Sequence, residues 1–146
     1  MGVVALAMGS LVYLIERPAN ETYFIPESLS LFNKVTPLFG AIGNHLPTFS
    51  HAFALVLITA AVSSARRASY LFICGFWLLI DGFFELGQHT SISPLITSNV
   101  PAFVAELPIL SHAINYFLNG RYDPIDMLSI VLGVIAAYGA LLITEK

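Results

Sequence analysis

Four long apolar runs, separated by polar and proline-bearing stretches, set the pattern of this chain. The first begins at Gly2 and stops at Glu16-Arg17-Pro18. It predicts a helix over about 2–16, short against the roughly 20 residues of a membrane span. No Lys or Arg precedes it and no A-x-A pattern follows, so an uncleaved helix is expected rather than a signal peptide. Four prolines (Pro18, Pro26, Pro37 and Pro47) preclude one continuous helix over the next stretch and predict an exposed connection, with a short interfacial helix within 29–39. The second run predicts a span over about 50–65, closed by Arg66-Arg67. The third is uninterrupted from Tyr70 to Ile80; stopping there would leave it too short, so the span is drawn over about 68–88. Residues 89–108 are rich in Ser, Thr and Pro and read as a loop, and 109–117 as a short amphipathic helix. The last run predicts a span over about 125–144, with Pro124 in its first turn, where a helix tolerates proline.

The expected fold is therefore all-α: an integral membrane protein forming a single transmembrane domain over 1–146, with about four transmembrane helices and short interfacial helices in the outer loops. Composition points the same way, with 57% hydrophobic residues, 10% charged residues and a mean hydropathy of +0.81. A net charge of -3 offers no nucleic-acid surface; the lipid bilayer is the expected partner. The one cysteine, Cys74, lies in an apolar run and reads as a small core residue, since it cannot form a disulfide within the chain. Arg66 and Arg67 occupy a very short connection and Lys146 ends the chain on the same side, which places both termini in the cytoplasm.

Polar residues gather near the opposite side. At 1.5 Å rise per residue, Asp81 and Glu85 lie about 20 and 26 Å across a core roughly 30 Å thick, and His51 about 22 Å from the cytoplasmic edge. Asp126 falls at the same outer level on the last helix. Asp81, Glu85 and Gln88 are spaced to share one helical face, as are Asp123, Asp126 and Gly133. Gly133 with Ala137 supplies the small-residue spacing that lets helix backbones approach in lipid. A carboxylate facing lipid costs about 2.5 to 3.5 kcal/mol at the helix centre, so the cluster should turn inward or reach a wet cavity. Arg121 is the expected cationic partner of Asp126, Asp123 or Glu85, with His51 a partial one. The cluster reads equally well as a lock between helices and as a functional site.

No Ser-His-Asp or Cys-His spacing marks a nucleophile, and the catalytic residues stay unassigned. His45, His51, His89 and His112 fall on the outer side, yet no H-x3-H or H-E-x-x-H pair occurs, so no metal is expected. Trp77, Phe76, Phe83 and Phe84 read as helix packing, and no cofactor is expected. Passage of protons along Asp81, Glu85 and His51 ranks last, because the cytoplasmic half offers no continuing chain of ionisable groups.

His51 at the start of one helix, Glu85-x-x-Gln88 at the end of the next, and Arg121-x4-Asp126 with Gly133 on the last together resemble the VanZ-like family of small bacterial membrane proteins, over roughly 46–143. One departure stands out: the family commonly carries an asparagine four residues after the aspartate, where this chain has Ile130 beside Ser129. The resemblance implies a multi-pass protein of the bacterial inner membrane. The family's namesake is associated with low-level resistance to teicoplanin-type glycopeptides, and its members share no generally established activity. The expectation that follows is binding or modification of an envelope lipid or cell-wall precursor at the outward polar cluster. The alternative is an accessory structural subunit packed among other membrane subunits.

Overall fold

A computed structural model describes residues 1–18, 26–33, 36, 38–101, 114 and 116–144. All the regular structure among them is helical: α1 (Gly2–Glu16), α2 (Leu46–Val62), α3 (Arg67–Gly87), the short α4 (Ser93–Ser98) and α5 (Pro124–Thr144), with single 3-10 turns at Glu27–Leu29 and Gly40–Asn44. Local chemistry sets the boundaries. α1 ends where Arg17 turns extended ahead of Pro18, whose ring disfavours helical geometry in the residue before it. α2 begins with Pro47 in its first turn, where no backbone donor is lost. The α2–α3 turn is tight: Ser64 adopts a left-handed φ of 48° and Arg66 is extended. Asp123 caps α5, its Oδ1 accepting the Ile125 N–H at 2.8 Å.

α2 is the central element. α1 packs along it in antiparallel sense, with Gly2 against Ala54 and Ile58, Gly9 against Pro47 and Ser50, and Glu16 beside Gly43. α5 packs on α2 running in the same direction, and α3 lies mainly against α5 and less against α2. The α2–α5 approach depends on glycine, since a Cβ at Gly133 would lie 2.6 Å from the Phe49 carbonyl oxygen. Ala52, Val56, Ala137 and Ile130 fill this seam, joined from α3 by Tyr70, Ile73 and Cys74. α1 makes no comparable contact with α3, which leaves a gap between them on one side of α2.

α3 and α5 are long and apolar enough to cross a membrane; α1 and α2, at 15 and 17 residues, are apolar but shorter. The outer segments differ in part from the sequence reading. In place of an interfacial helix over 29–39 there are two isolated turns on either side, with 34, 35 and 37 outside the described residues. The stretch 89–108, read as a loop, contains α4, started by Pro94 and closed by the Asn99 side-chain amide donating to the Leu95 carbonyl at 2.7 Å. Serine, threonine and proline at helix ends are capping chemistry, and over six residues they look the same as loop chemistry. Of the amphipathic stretch 109–117, only 114, 116 and 117 are described; residues 116–119 are helical.

Candidate functional site

The polar residues of α3 divide into two groups one turn apart. Glu85 belongs to a closed hydrogen-bond network. Its Oε1 accepts the Asp123 N–H at 2.8 Å and its Oε2 accepts from Gln88 Nε2 at 3.1 Å. The Gln88 amide also donates to the Tyr116 hydroxyl at 2.9 Å. Burial pushes the Tyr116 hydroxyl well above its ordinary pKa, and the nearby Glu85 carboxylate adds to the effect, so the phenol stays protonated. Below this network, Ser93 of α4 donates to the Phe117 carbonyl at 2.7 Å. The end of α3, the start of α5 and the segment between them are thereby tied together.

At the same end, His45 Nδ1 lies 2.8 Å from Asp126 Oδ1, joining the residue before α2 to the first turn of α5. His45, Asp123 and Asp126 can each bring one ligand atom within 4.8 Å of the others, so these are the described residues able to share a cation. That spacing joins a residue preceding α2 to two residues near the start of α5, and no short sequence motif encodes it.

Asp81 is different. It is 9% exposed, its Oδ2 is buried without a hydrogen-bond partner among the described residues, and its Oδ1 lies 3.7 Å from Nδ1 of His51, too far for a good hydrogen bond. It lines a cleft of about 720 Å³ in the gap between α1 and α3, floored by α2. α1 contributes Leu6, Gly9, Ser10 and Tyr13; α2 contributes Pro47, Thr48, His51 and Leu55; α3 contributes Trp77, Ile80, Asp81, Phe84 and Glu85. Tyr116 and Ile130 complete the wall. Trp77 is anchored by its indole N–H, which donates to Thr59 Oγ1 at 2.8 Å. His51 is 54% exposed on its side chain, so the polar end of the cleft is accessible. The arrangement is a groove that is apolar around Leu6, Leu55, Trp77 and Ile80 and polar from the level of Asp81 and His51 toward Glu85, Tyr13 and Tyr116, suited to an amphiphilic molecule.

The structure thus brings His51 together with Asp81, and Glu85 together with Gln88 and Asp123. Asp126 joins His45, while Gly133 and Ala137 lie buried on the seam of α5 with α2. Arg121 departs from expectation: it is exposed and, among the described residues, forms no ion pair. It sits ahead of Pro124 in the irregular link to α5, so a sequence spacing that would suit a helix does not carry it to the carboxylates. Sequence reasoning passed over Tyr13 and Tyr116 as cleft residues. Tyr13, with Ser10 one turn before it, is a hydroxyl-bearing position within the otherwise apolar first run, the one signal that could have marked α1 as a wall of the site.

Comparisons with protein-family models, curated proteins and solved structures give no match.

Proposed function

We propose that this chain is a VanZ-like protein of the bacterial inner membrane that spans the bilayer four times, with both termini cytoplasmic, and holds an envelope lipid or cell-wall precursor in the cleft between α1 and α3. The membrane reading draws on the distribution of polarity. α3 and α5 expose Leu71, Phe72, Leu79, Leu128 and Ile135 while burying Asp81, Glu85 and Ser129, the reverse of a soluble domain. Only 39% of the apolar window of α3 and 33% of that of α5 is buried, whereas the core helix of a soluble protein is mostly enclosed. α1 and α2, about 22 and 26 Å long, fall a little short of a 30 Å core, a mismatch that local bilayer thinning accommodates. Arg66 and Arg67 mark the cytoplasmic end, so the polar end of the cleft opens outward.

The observation that carries the ligand reading is the cleft itself: an apolar groove of about 720 Å³, within the size range of small-molecule sites, with Asp81 and His51 placed to recognise a polar group. The test is purification in mild detergent with mass spectrometry of everything retained. A lone protein carrying an envelope amphiphile is the expected result. Stoichiometric recovery with other membrane subunits and no bound amphiphile would overturn it in favour of an accessory subunit whose cleft receives a neighbour's helix.

A further inference from the structure

Asp81 is only loosely paired, its Oδ1 3.7 Å from His51 Nδ1. Its Oδ2 is buried and has no donor among the described residues, and the residue lines the cleft. A buried acceptor in that state is costly unless something supplies a hydrogen bond, and the broad torsion of an aspartate carboxylate lets a rotation present it to the cleft that the side chain lines. The neighbouring carboxylate does not compete for such a donor, because both Glu85 oxygens already accept one, from Asp123 and Gln88. The lining residues include no Lys or Arg. Arg17, one turn beyond Tyr13, is tied through Nη2 to the Asn44 carbonyl, and Arg121 is exposed elsewhere. A phosphate or carboxylate head would therefore meet two carboxylates and no permanent cation.

We infer that the cleft selects an amphiphile with a primary ammonium head on a long apolar chain, the ammonium donating to the Asp81 carboxylate and the chain lying along Leu6, Leu55 and Ile80. This rests on the proposed binding function and deepens it. A primary ammonium carries three donors and one positive charge, so it satisfies the orphaned oxygen and neutralises the carboxylate; a hydroxyl can do only the first. The indole of Trp77 on the same wall adds an aromatic surface suited to a cation. A lipid amine and a free long-chain amine share this chemistry.

Trp77 is the only tryptophan of the chain and lines the cleft, which makes its fluorescence a local reporter. The experiment titrates the full chain, in phosphatidylcholine nanodiscs, with dodecylamine, dodecanol and dodecyl phosphate, and repeats the series with Asp81→Asn and Asp81→Glu. The expected result is a saturable Trp77 response to dodecylamine at a concentration about tenfold or more below that for the other two, the span of a charge-assisted hydrogen bond. Asp81→Asn should erase the preference and Asp81→Glu should retain part of it. Equal response to all three heads, or a preference that persists in Asp81→Asn, would overturn the head assignment while leaving the amphiphile cleft in place. No saturable response to any of them would remove both readings. The comparison of heads in the unmutated protein stands even where a variant fails to fold. Retention of an endogenous lipid amine in the mass spectra, against an empty cleft that fills only with added amine, separates the two sources.

Discussion

Asp81 and Glu85 stand one turn apart on the same face of α3, with 9% and 6% of their surfaces exposed, and differ in what surrounds them. Glu85 faces the start of α5, where a backbone N–H and the Gln88 amide converge on its two oxygens. Asp81 faces the gap left because α1 packs on α2 and not on α3, and one of its oxygens finds no partner there. Two equally buried carboxylates can thus serve opposite purposes. A satisfied one fixes helices in register, whereas an unsatisfied one beside a cleft stores a cost that a ligand can relieve.

The contrast makes ordered predictions. Glu85→Ala should have the largest effect on stability, about 2 to 3 kcal/mol, because it strands the Asp123 N–H and leaves the Gln88 amide one acceptor short; unfolding followed by circular dichroism in detergent measures it. A result near zero would mean that Glu85 is no more a lock than Asp81. Gly133→Ala comes next, at about 1 to 3 kcal/mol, since the added methyl forces the α2 and α5 backbones apart at Phe49. Trp77→Phe should cost about 1 kcal/mol through loss of the hydrogen bond to Thr59. Asp81→Asn should leave the unfolding midpoint unchanged or raise it, because it removes a buried carboxylate whose nearest partner, His51, is 3.7 Å away, and in the same sample it should abolish the ammonium preference. A clear loss of stability instead would place Asp81 in the lock with Glu85. Arg121→Ala should change neither stability nor binding, and a marked effect on either would restore the cationic partnership that its sequence position suggests.

The helical class and the positions of the long helices were legible in the sequence, because uninterrupted apolar runs and their proline and arginine boundaries are local signals, except that α2 starts at Leu46 rather than about 50, since Pro47 sits in its first turn and not in the preceding connection. The Glu85-x-x-Gln88 spacing also correctly placed two side chains on one helical face. The pairings between helices were less accessible. Arg121 looked like the partner of Asp126 because it is the nearest cation along the chain, yet His45 takes that position from a residue 81 positions away. α4 was obscured by a Ser-, Thr- and Pro-rich composition that describes a loop and a short capped helix equally well.

By itself, then, the sequence determined where the four long apolar helices lie, which residues are too apolar to be left in water, and that the ionisable residues collect toward one end, since each of these follows from residue type and spacing along a single helix. Which carboxylate is satisfied and which is not was decided only by the tertiary structure. That depends on how α1 and α5 pack on α2, which they approach closely at Gly2, Gly9 and Gly133, and packing between helices is a property of whole faces meeting rather than of any local run of residues.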